Sequence, residues 1–274
     1  MATLILKYPL ELKSLIFFFW NIMFLLFLSL ISFSSWSSST KFDLSAGLQG
    51  RTLPSMGAEL YAESGYNMLL WGSKKNSQDV LYGLLRPSLG LSTSGVINVA
   101  KAELELFPIS FLGFTAGRQY IHSNFDFPFF DCEAVSCKGE FERNYIESKM
   151  ILGVGGWIAM GSYKIDKINS PDENIPMPDW RNVIVGNPSR EIQIEKKLIA
   201  GKIHSGNLFG IILENVQFLG SRERKESFMG VYQKIKKSDS YMIGAGLFHT
   251  DRQPMGFQVY FRIHKVFLPY FKLF

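Results

Sequence analysis

The 274-residue sequence predicts an all-β fold, a closed antiparallel transmembrane β-barrel of about twelve strands. Apolar and polar residues alternate with a period of two along most of the chain, as in strands with one apolar and one polar face. No apolar run long enough for a membrane helix follows residue 40. Connections between the predicted strands also fall into a short and a long class, which is typical of barrels that cross a membrane.

The composition excludes several other classes of protein. Apolar residues make up 47% of the chain and charged residues only 19%, which argues against a disordered protein. Two cysteines are too few for a disulfide scaffold or a four-cysteine zinc module. A net charge of +5 implies no nucleic-acid partner, and nothing in the sequence indicates a bound metal or cofactor.

The N-terminal region has the organisation of a secretory signal peptide. An apolar run from Leu15 to Phe33 follows two lysines and precedes a stretch rich in serine. With Ser35 and Ser37 as the small residues before the cleavage site, the signal peptide spans residues 1–37. The run is also long enough to span a bilayer, so an uncleaved anchor is the alternative.

The remaining chain, residues 38–274, divides into strands of the length that a tilted membrane strand needs. Phe257, Val259 and Phe261, for example, alternate with Gln258, Tyr260 and Arg262. The predicted strands are 41–50, 57–71, 79–90, 96–107, 111–122, 143–154, 157–166, 190–202, 207–219, 227–235, 240–249 and 255–264.

The connections give a second indication of a membrane barrel. Those that follow even-numbered strands are short turns, whereas the long ones follow odd-numbered strands and span 123–142, 167–189, 220–226 and 250–254. Membrane barrels have short turns at one end and long loops at the other. A closed barrel is required in hydrocarbon because every backbone donor and acceptor has to be paired within the sheet.

The segment Gly256–Phe261 and the aromatic chain end Tyr270–Phe274 resemble the terminal signals of Gram-negative outer-membrane β-barrels, a porin-like superfamily. The resemblance covers residues 41–274 and implies an outer-membrane location, both termini in the periplasm and insertion by the barrel-assembly machinery. Pro269 and Lys272 depart from the pattern, so the closing strand ends either near His264 or at Phe274.

The polar face of the predicted strands carries ionisable residues of both signs. In membrane barrels such a face lines the lumen, where outer-membrane lipid does not contact it. The predicted lumen-lining residues are Glu59, Glu63, Lys101, Glu103, Glu105, Glu147, Lys149, Lys164, Glu191, Glu195, Lys197 and Arg262.

The two cysteines, Cys132 and Cys137, lie in the aromatic loop 123–142. In an oxidising compartment they are expected to form a disulfide that closes part of this loop. A role in metal binding is disfavoured because no histidine is close in sequence.

Adjacent His122 and Ser123 are the residues that suggest an enzyme. Outer-membrane phospholipases place a catalytic histidine and serine two residues apart, on one face of a strand. Adjacent residues of a strand point to opposite faces, so a base at His122 would not reach a nucleophile at Ser123. The sequence therefore predicts no catalytic residue.

Charged residues in the long connections suggest two further sites. Arg222, Arg224, Lys225 and Arg252 are candidates for contact with lipopolysaccharide phosphates, and the alternative is a solvated charged turn. Acidic residues 172, 173 and 179 match no calcium-binding spacing, so we expect solvated acids there.

These observations favour a narrow pore for small solutes with a lumen of mixed charge. The alternative is a closed structural or surface-binding barrel that acts through loops 123–142 and 167–189. Two further hypotheses are a lipid hydrolase that uses His122 and Ser123, and a soluble secreted β-protein.

Overall fold

The computed structural model describes residues 41–52, 57–72, 81–127, 130–170, 172, 174–187, 190–235, 239–252 and 255–268. The predicted signal peptide at residues 1–37 and the chain end at Phe274 lie outside these residues. No helix in the described part of the chain is long and apolar enough to cross a membrane.

The described residues form strands connected by turns and loops, which confirms the all-β prediction. The strands are β1 (Lys41–Arg51), β2 (Gly57–Trp71), β3 (Gly83–Thr93), β4 (Ile97–Ile109), β5 (Leu112–Ser123), β6 (Gly139–Val154), β7 (Trp157–Asn169), β8 (Met177–Asp179), β9 (Ile184–Gly186), β10 (Arg190–His204), β11 (Asn207–Phe218), β12 (Arg224–Ile235), β13 (Asp239–Thr250) and β14 (Gly256–Leu268).

Twelve of these strands form one closed antiparallel barrel, in agreement with the predicted strand number. Each strand pairs with its neighbour in sequence, and β1 pairs with β14 to close the sheet. Strands β8 and β9 are excluded from the wall and pair with each other as a separate hairpin between β7 and β10. The sequence predicted the connection that holds this hairpin, but not its strands.

The third strand differs most from its predicted range. It was expected at 79–90 and is observed at Gly83–Thr93. Its end moves forward because the turn is made by residues 94–96, where Gly95 has a φ of 85° and the Ser94 amide donates to the Ile97 carbonyl at 2.9 Å. Its start moves forward because Tyr82 packs into a buried cluster with Leu84 and Phe107 before the strand begins.

The two faces of the wall have opposite polarity. Large apolar residues on the outer face are solvent-exposed, as expected of a surface covered by lipid; they include Leu60, Leu91, Leu104, Ile146, Leu198, Phe209, Phe228, Leu247, Phe257 and Ile263. The inner face carries charged and amide side chains, among them the buried Asp43, Asn67, Arg86 and Gln193.

The connections are sorted by length, as predicted for most of them. Two-residue turns 110–111, 155–156 and 205–206 lie at one end, which we call the short-turn end. The opposite end carries residues 124–138 and 170–189 and is the long-loop mouth. Residues 72–82 at the short-turn end and 94–96 at the long-loop mouth depart from this rule.

Candidate functional site

A network of ion pairs lines the inner wall of the barrel and begins at Arg86 on β3. Its guanidinium contacts Asp43 of β1 at 2.7 Å, Glu63 of β2 at 2.8 Å and Glu105 of β4 at 2.8 Å. Gly65 makes room for it, since a Cβ at that position would lie 2.6 Å from the Arg86 Nε atom. One buried cation therefore joins four consecutive strands.

The network continues around the inner wall. Lys101 contacts Glu63 at 2.7 Å and Glu103 at 2.8 Å. Glu103 in turn accepts a hydrogen bond from the Tyr145 hydroxyl on β6. The Lys164 ammonium of β7 lies 4.7 Å from the centre of the Tyr145 ring. Charges of both signs thus neutralise one another across the wall instead of projecting freely into water.

The other residues predicted to line the lumen also lie at inner-face positions. Lys149 contacts Glu147 at 3.1 Å and Glu105 at 3.8 Å. Glu195 lies 4.0 Å from Lys164. The remaining inner-face residues are Glu59, which accepts a hydrogen bond from Gln49, Arg262, which donates to the Tyr61 hydroxyl, and Lys197, which pairs in register with Glu214.

The β8–β9 hairpin folds inward and inserts into the long-loop mouth. Asp179, buried at the end of β8, accepts hydrogen bonds from the Gln193 side chain of β10 at 2.6 Å and the Asn182 side chain at 2.8 Å. It also lies 3.8 Å from Arg143 of β6. Burial alone would raise the pKa of Asp179, but Arg143 and the two amide donors outweigh burial and lower its pKa to about 2.

The tip of the hairpin contacts three further strands. Lys225 of β12 donates to the Asn182 side chain at 3.1 Å and to Glu214 at 3.2 Å. Arg51 of β1 donates to the Trp180 carbonyl at 3.2 Å. The Arg181 guanidinium lies 3.5 Å from Glu59 of β2. Strands from around the whole barrel therefore hold the hairpin in the lumen.

A buried hydrophobic cluster packs the hairpin against the other long loop, residues 124–138. Its hairpin members are Met177, Trp180 and Ile184, and the inner wall adds Phe141 and Phe218. Residues of the 124–138 loop complete the cluster, namely Phe127, Phe130, Val135 and Cys137.

The predicted disulfide between Cys132 and Cys137 is present in this loop. It closes the segment that packs on the hairpin, and the amide of Ser136, inside that segment, donates to the Pro176 carbonyl at 2.9 Å. The disulfide therefore supports the contact between the two long loops.

Two glutamates fasten the base of the hairpin. Glu191, predicted to line the lumen, accepts hydrogen bonds from the backbone amides of Asn187 and Gly220 at 2.9 and 2.8 Å. Glu223 accepts a hydrogen bond from the Val185 amide at 2.6 Å and another from the Arg252 guanidinium at 2.6 Å. The Glu191 carboxylate thus acts as a loop anchor at the mouth.

Solvent-accessible space remains in the lumen at the hairpin tip. The Arg181 side chain is 65% exposed, although it projects from the inserted tip towards Glu59 on the inner wall. An arginine enclosed by a filled barrel would be buried. The hairpin tip thus leaves solvent-accessible space around Arg181.

The four basic residues predicted to contact lipopolysaccharide lie at the long-loop mouth, but they do not form one surface. Lys225 points inward and is buried, because adjacent residues of a strand face opposite sides, and this placement excludes it from lipopolysaccharide contact. Arg252 is paired with Glu223 at 2.6 Å, which raises the pKa of Arg252. Arg224 lies 3.8 Å from Asp251, and Arg222 is exposed.

The described residues form neither a catalytic site at His122 and Ser123 nor a calcium site at the acidic residues. His122 faces outward and is exposed, whereas Ser123 faces inward and is 1% exposed. Asp172 accepts a hydrogen bond from the Asn174 amide, while Asp179 is held inside the lumen. Residue 173 lies outside the described part, and no metal-binding group of acids, histidines or cysteines occurs within that part.

Comparison with known proteins found similarity in architecture only. No protein-family profile and no curated protein matches the sequence. An outer membrane channel from Pseudomonas putida F1 is 14% identical, with 83% of this chain and 95% of that chain covered and a TM-score of 0.45. The KdgM porin, solved in complex with disordered oligogalacturonate, is 8% identical over 84% of this chain and 99% of that chain, with a TM-score of 0.43. The β domain of the Bordetella autotransporter BrkA is 9% identical over 83% and 99%, with a TM-score of 0.41.

Proposed function

We propose that this protein is an outer-membrane channel for small solutes, narrowed at its long-loop mouth by the β8–β9 hairpin. The observation that carries the proposal is the exposed Arg181 side chain at the hairpin tip, inside the barrel wall. A lumen that keeps water around a charged constriction provides a path for small polar solutes. Passive diffusion along this path needs no catalytic residue.

The proposal includes the orientation and processing of the chain. Residues 1–37 act as the export signal, and both chain ends and the short-turn end face the periplasm, as in barrels with short periplasmic turns. The apolar outer wall then contacts outer-membrane lipid. The long-loop mouth with its disulfide-closed loop faces the exterior.

A closed barrel that acts through its external loops is the second candidate. The hydrophobic cluster of Phe127, Trp180 and Phe218 across the mouth favours it, since such a cluster resists opening. The two candidates differ in whether ions cross the folded barrel.

Single-channel recording on the protein extracted from membranes tests the proposal. Cys132 and Cys137 are disulfide-bonded, so Arg181→Cys introduces a single free thiol in the lumen. Discrete conductance steps are expected, and a negatively charged thiol reagent should change their size in this variant. Ala62→Cys, which faces lipid, is the control and should not respond. A correctly folded protein without conductance would overturn the channel and favour the closed barrel.

A further inference from the structure

A row of polar side chains crosses the lipid-facing surface of four neighbouring strands. Tyr163 of β7 pairs with Lys196 of β10, Lys196 with Asn215 of β11, and Asn215 with Glu226 of β12. We call these four residues the polar stripe. Alternate residues along each strand face the same side, and those on either side of Lys196 are Ile194 and Leu198. Lys196 is therefore embedded in an apolar surface, whereas Glu226 lies between Arg224 and Phe228 on its own face.

The positive charge of the stripe, on Lys196, is poorly compensated within the described residues of one chain. Lys196 is exposed, and no carboxylate of the described residues lies within 4.0 Å of its ammonium. The Glu226 side chain is 51% exposed; it accepts a hydrogen bond from Asn215 at 3.2 Å and forms a loose ion pair with Arg224 at 3.7 Å. Charged side chains on the lipid face of a barrel are destabilising. An oppositely charged surface that covers the stripe would relieve this cost.

A second positive charge on the outer face, at Arg118, shows how the chain compensates such a charge internally. Arg118 of β5 forms an ion pair with Glu142 of the neighbouring strand, and its guanidinium lies 4.8 Å from the centre of the Tyr120 ring. Among the residues that the structure describes, no carboxylate compensates Lys196 in this way. Its uncompensated charge points to a partner outside the chain.

We infer that the polar stripe is an interface with a second copy of this chain. Asn215 lies at the centre, with Lys196 one strand away on one side and Glu226 one strand away on the other. A two-fold axis along the membrane normal at Asn215 places Lys196 opposite the second copy's Glu226, and Glu226 opposite its Lys196. The stripe is thus self-complementary in charge, as an isologous contact requires. This inference is independent of the proposed channel activity.

Cross-linking of the full-length protein in membranes tests the inference. The Asn215→Cys variant carries its thiol at the proposed axis, so mild oxidation is expected to produce a disulfide-linked dimer. Ala62→Cys places a thiol on the outer face of β2, far around the barrel in strand order, and serves as the matched control.

Charge changes provide the second arm. Lys196→Glu in the Asn215→Cys background should lower the cross-linked fraction about tenfold, because like charges then face each other. Adding Glu226→Lys should restore cross-linking, since the pairs reform in reversed order. Folding of each variant is checked by heat-modifiable gel migration.

Three results would overturn the inference. One is a monomer with no cross-link above the Ala62→Cys control. Another is cross-linking that the charge changes leave unaltered. The last is a monomer that retains anionic lipid in native mass spectra and loses it in Lys196→Ala, which would assign the stripe to lipid phosphate.

Discussion

The Arg181 guanidinium lies 3.5 Å from the Glu59 carboxylate, although 122 residues separate the two in sequence. The contact joins the tip of an inserted hairpin to the inner wall of β2, on the side of the barrel away from β7 and β10, where the hairpin originates. Through it the hairpin crosses the lumen instead of lying along one wall. The hairpin tip therefore places the charge of Arg181 in the proposed path, next to Glu59 of the inner wall.

Arg181→Glu is expected to make the channel more selective for cations, by about twofold to threefold in permeability ratio. The change replaces an exposed positive charge with a negative one beside Glu59. Reversal potentials in a salt gradient measure it. Lys101→Gln is the comparison variant, and it should shift selectivity less because Lys101 is held between Glu63 and Glu103. Equal shifts in both variants would contradict a constriction at the hairpin tip.

Asp179→Ala should release the hairpin from the lumen. The substitution leaves the side chains of Gln193 and Asn182, and the nearby Arg143, without their shared acceptor. Loss of a buried charged acceptor costs about 2–4 kcal/mol, so the hairpin should open more often. Hydrogen exchange of residues 177–186 should accelerate while exchange in β11 stays slow. Unchanged protection of the hairpin would disprove its dependence on Asp179.

The hairpin should also loosen in acid. The folded-state pKa of Asp179 is lowered to about 2, so its stabilising contribution is present above its ordinary pKa. The contribution is lost as the pH falls through about 2, and it amounts to about 2 kcal/mol. Hydrogen exchange of the hairpin between pH 5 and pH 2 measures this, with Asp179→Asn as the control that should remove the acid-dependent step attributable to this group. An identical pH profile in both proteins would contradict the assignment.

Replacing both cysteines by serine should loosen the 124–138 loop and spare the barrel. The disulfide closes a short loop, for which the chain-entropy estimate is about 2 kcal/mol. The Ser136–Pro176 hydrogen bond depends on this loop, so protection of the Ser136 amide is expected to fall. Limited proteolysis and heat-modifiable migration measure loop and barrel separately. Loss of the folded barrel would show that the disulfide has a larger role than the structure assigns to it.

Arg86→Met should destabilise the whole barrel, by about 3–5 kcal/mol, because it leaves three carboxylates without their shared cation. The β2–β3 pairing is weaker at this position, because the neighbouring Pro87 lacks an amide hydrogen. No residues are paired there between the Gly65–Ser88 pair and the Met68–Leu85 pair. A lower temperature of heat-modifiable migration is expected. Arg262→Met removes a cation bonded to one hydroxyl, Tyr61, and should have a smaller effect.

The wall of the barrel was predictable from the sequence, because period-two alternation directly indicates which residues lie on the outer face and which lie on the inner face. In β14, Phe257 and Val259 face outward and Gln258 faces inward, as the alternation indicated. The same reasoning placed His122 and Ser123 on opposite faces. It was less reliable for β3, where a turn at residues 94–96 and the buried Tyr82 set the strand limits.

The inserted hairpin was not predictable in the same way. Its strands have three residues each, too short to show a period. Asp179 looked like a solvated loop acid, and its burial depends on Arg143 and Gln193, which lie far from it in the sheet. The signal available in sequence was apolar Met177, Trp180 and Ile184 within a loop that was expected to be polar. The prediction for Lys225 was wrong because the predicted strand begins at residue 227, whereas β12 begins three residues earlier, at Arg224. Lys225 is therefore a strand residue that faces inward, not a turn residue.

Single-channel conductance with the hairpin locked in place would show whether the hairpin controls the proposed path. Glu59→Cys and Arg181→Cys together allow a bifunctional thiol reagent to tie the hairpin tip to β2. We expect discrete conductance before locking and a reduced, less variable conductance afterwards, with each single-cysteine variant showing no locking effect. Conductance that is identical before and after complete cross-linking would contradict a path controlled by the hairpin.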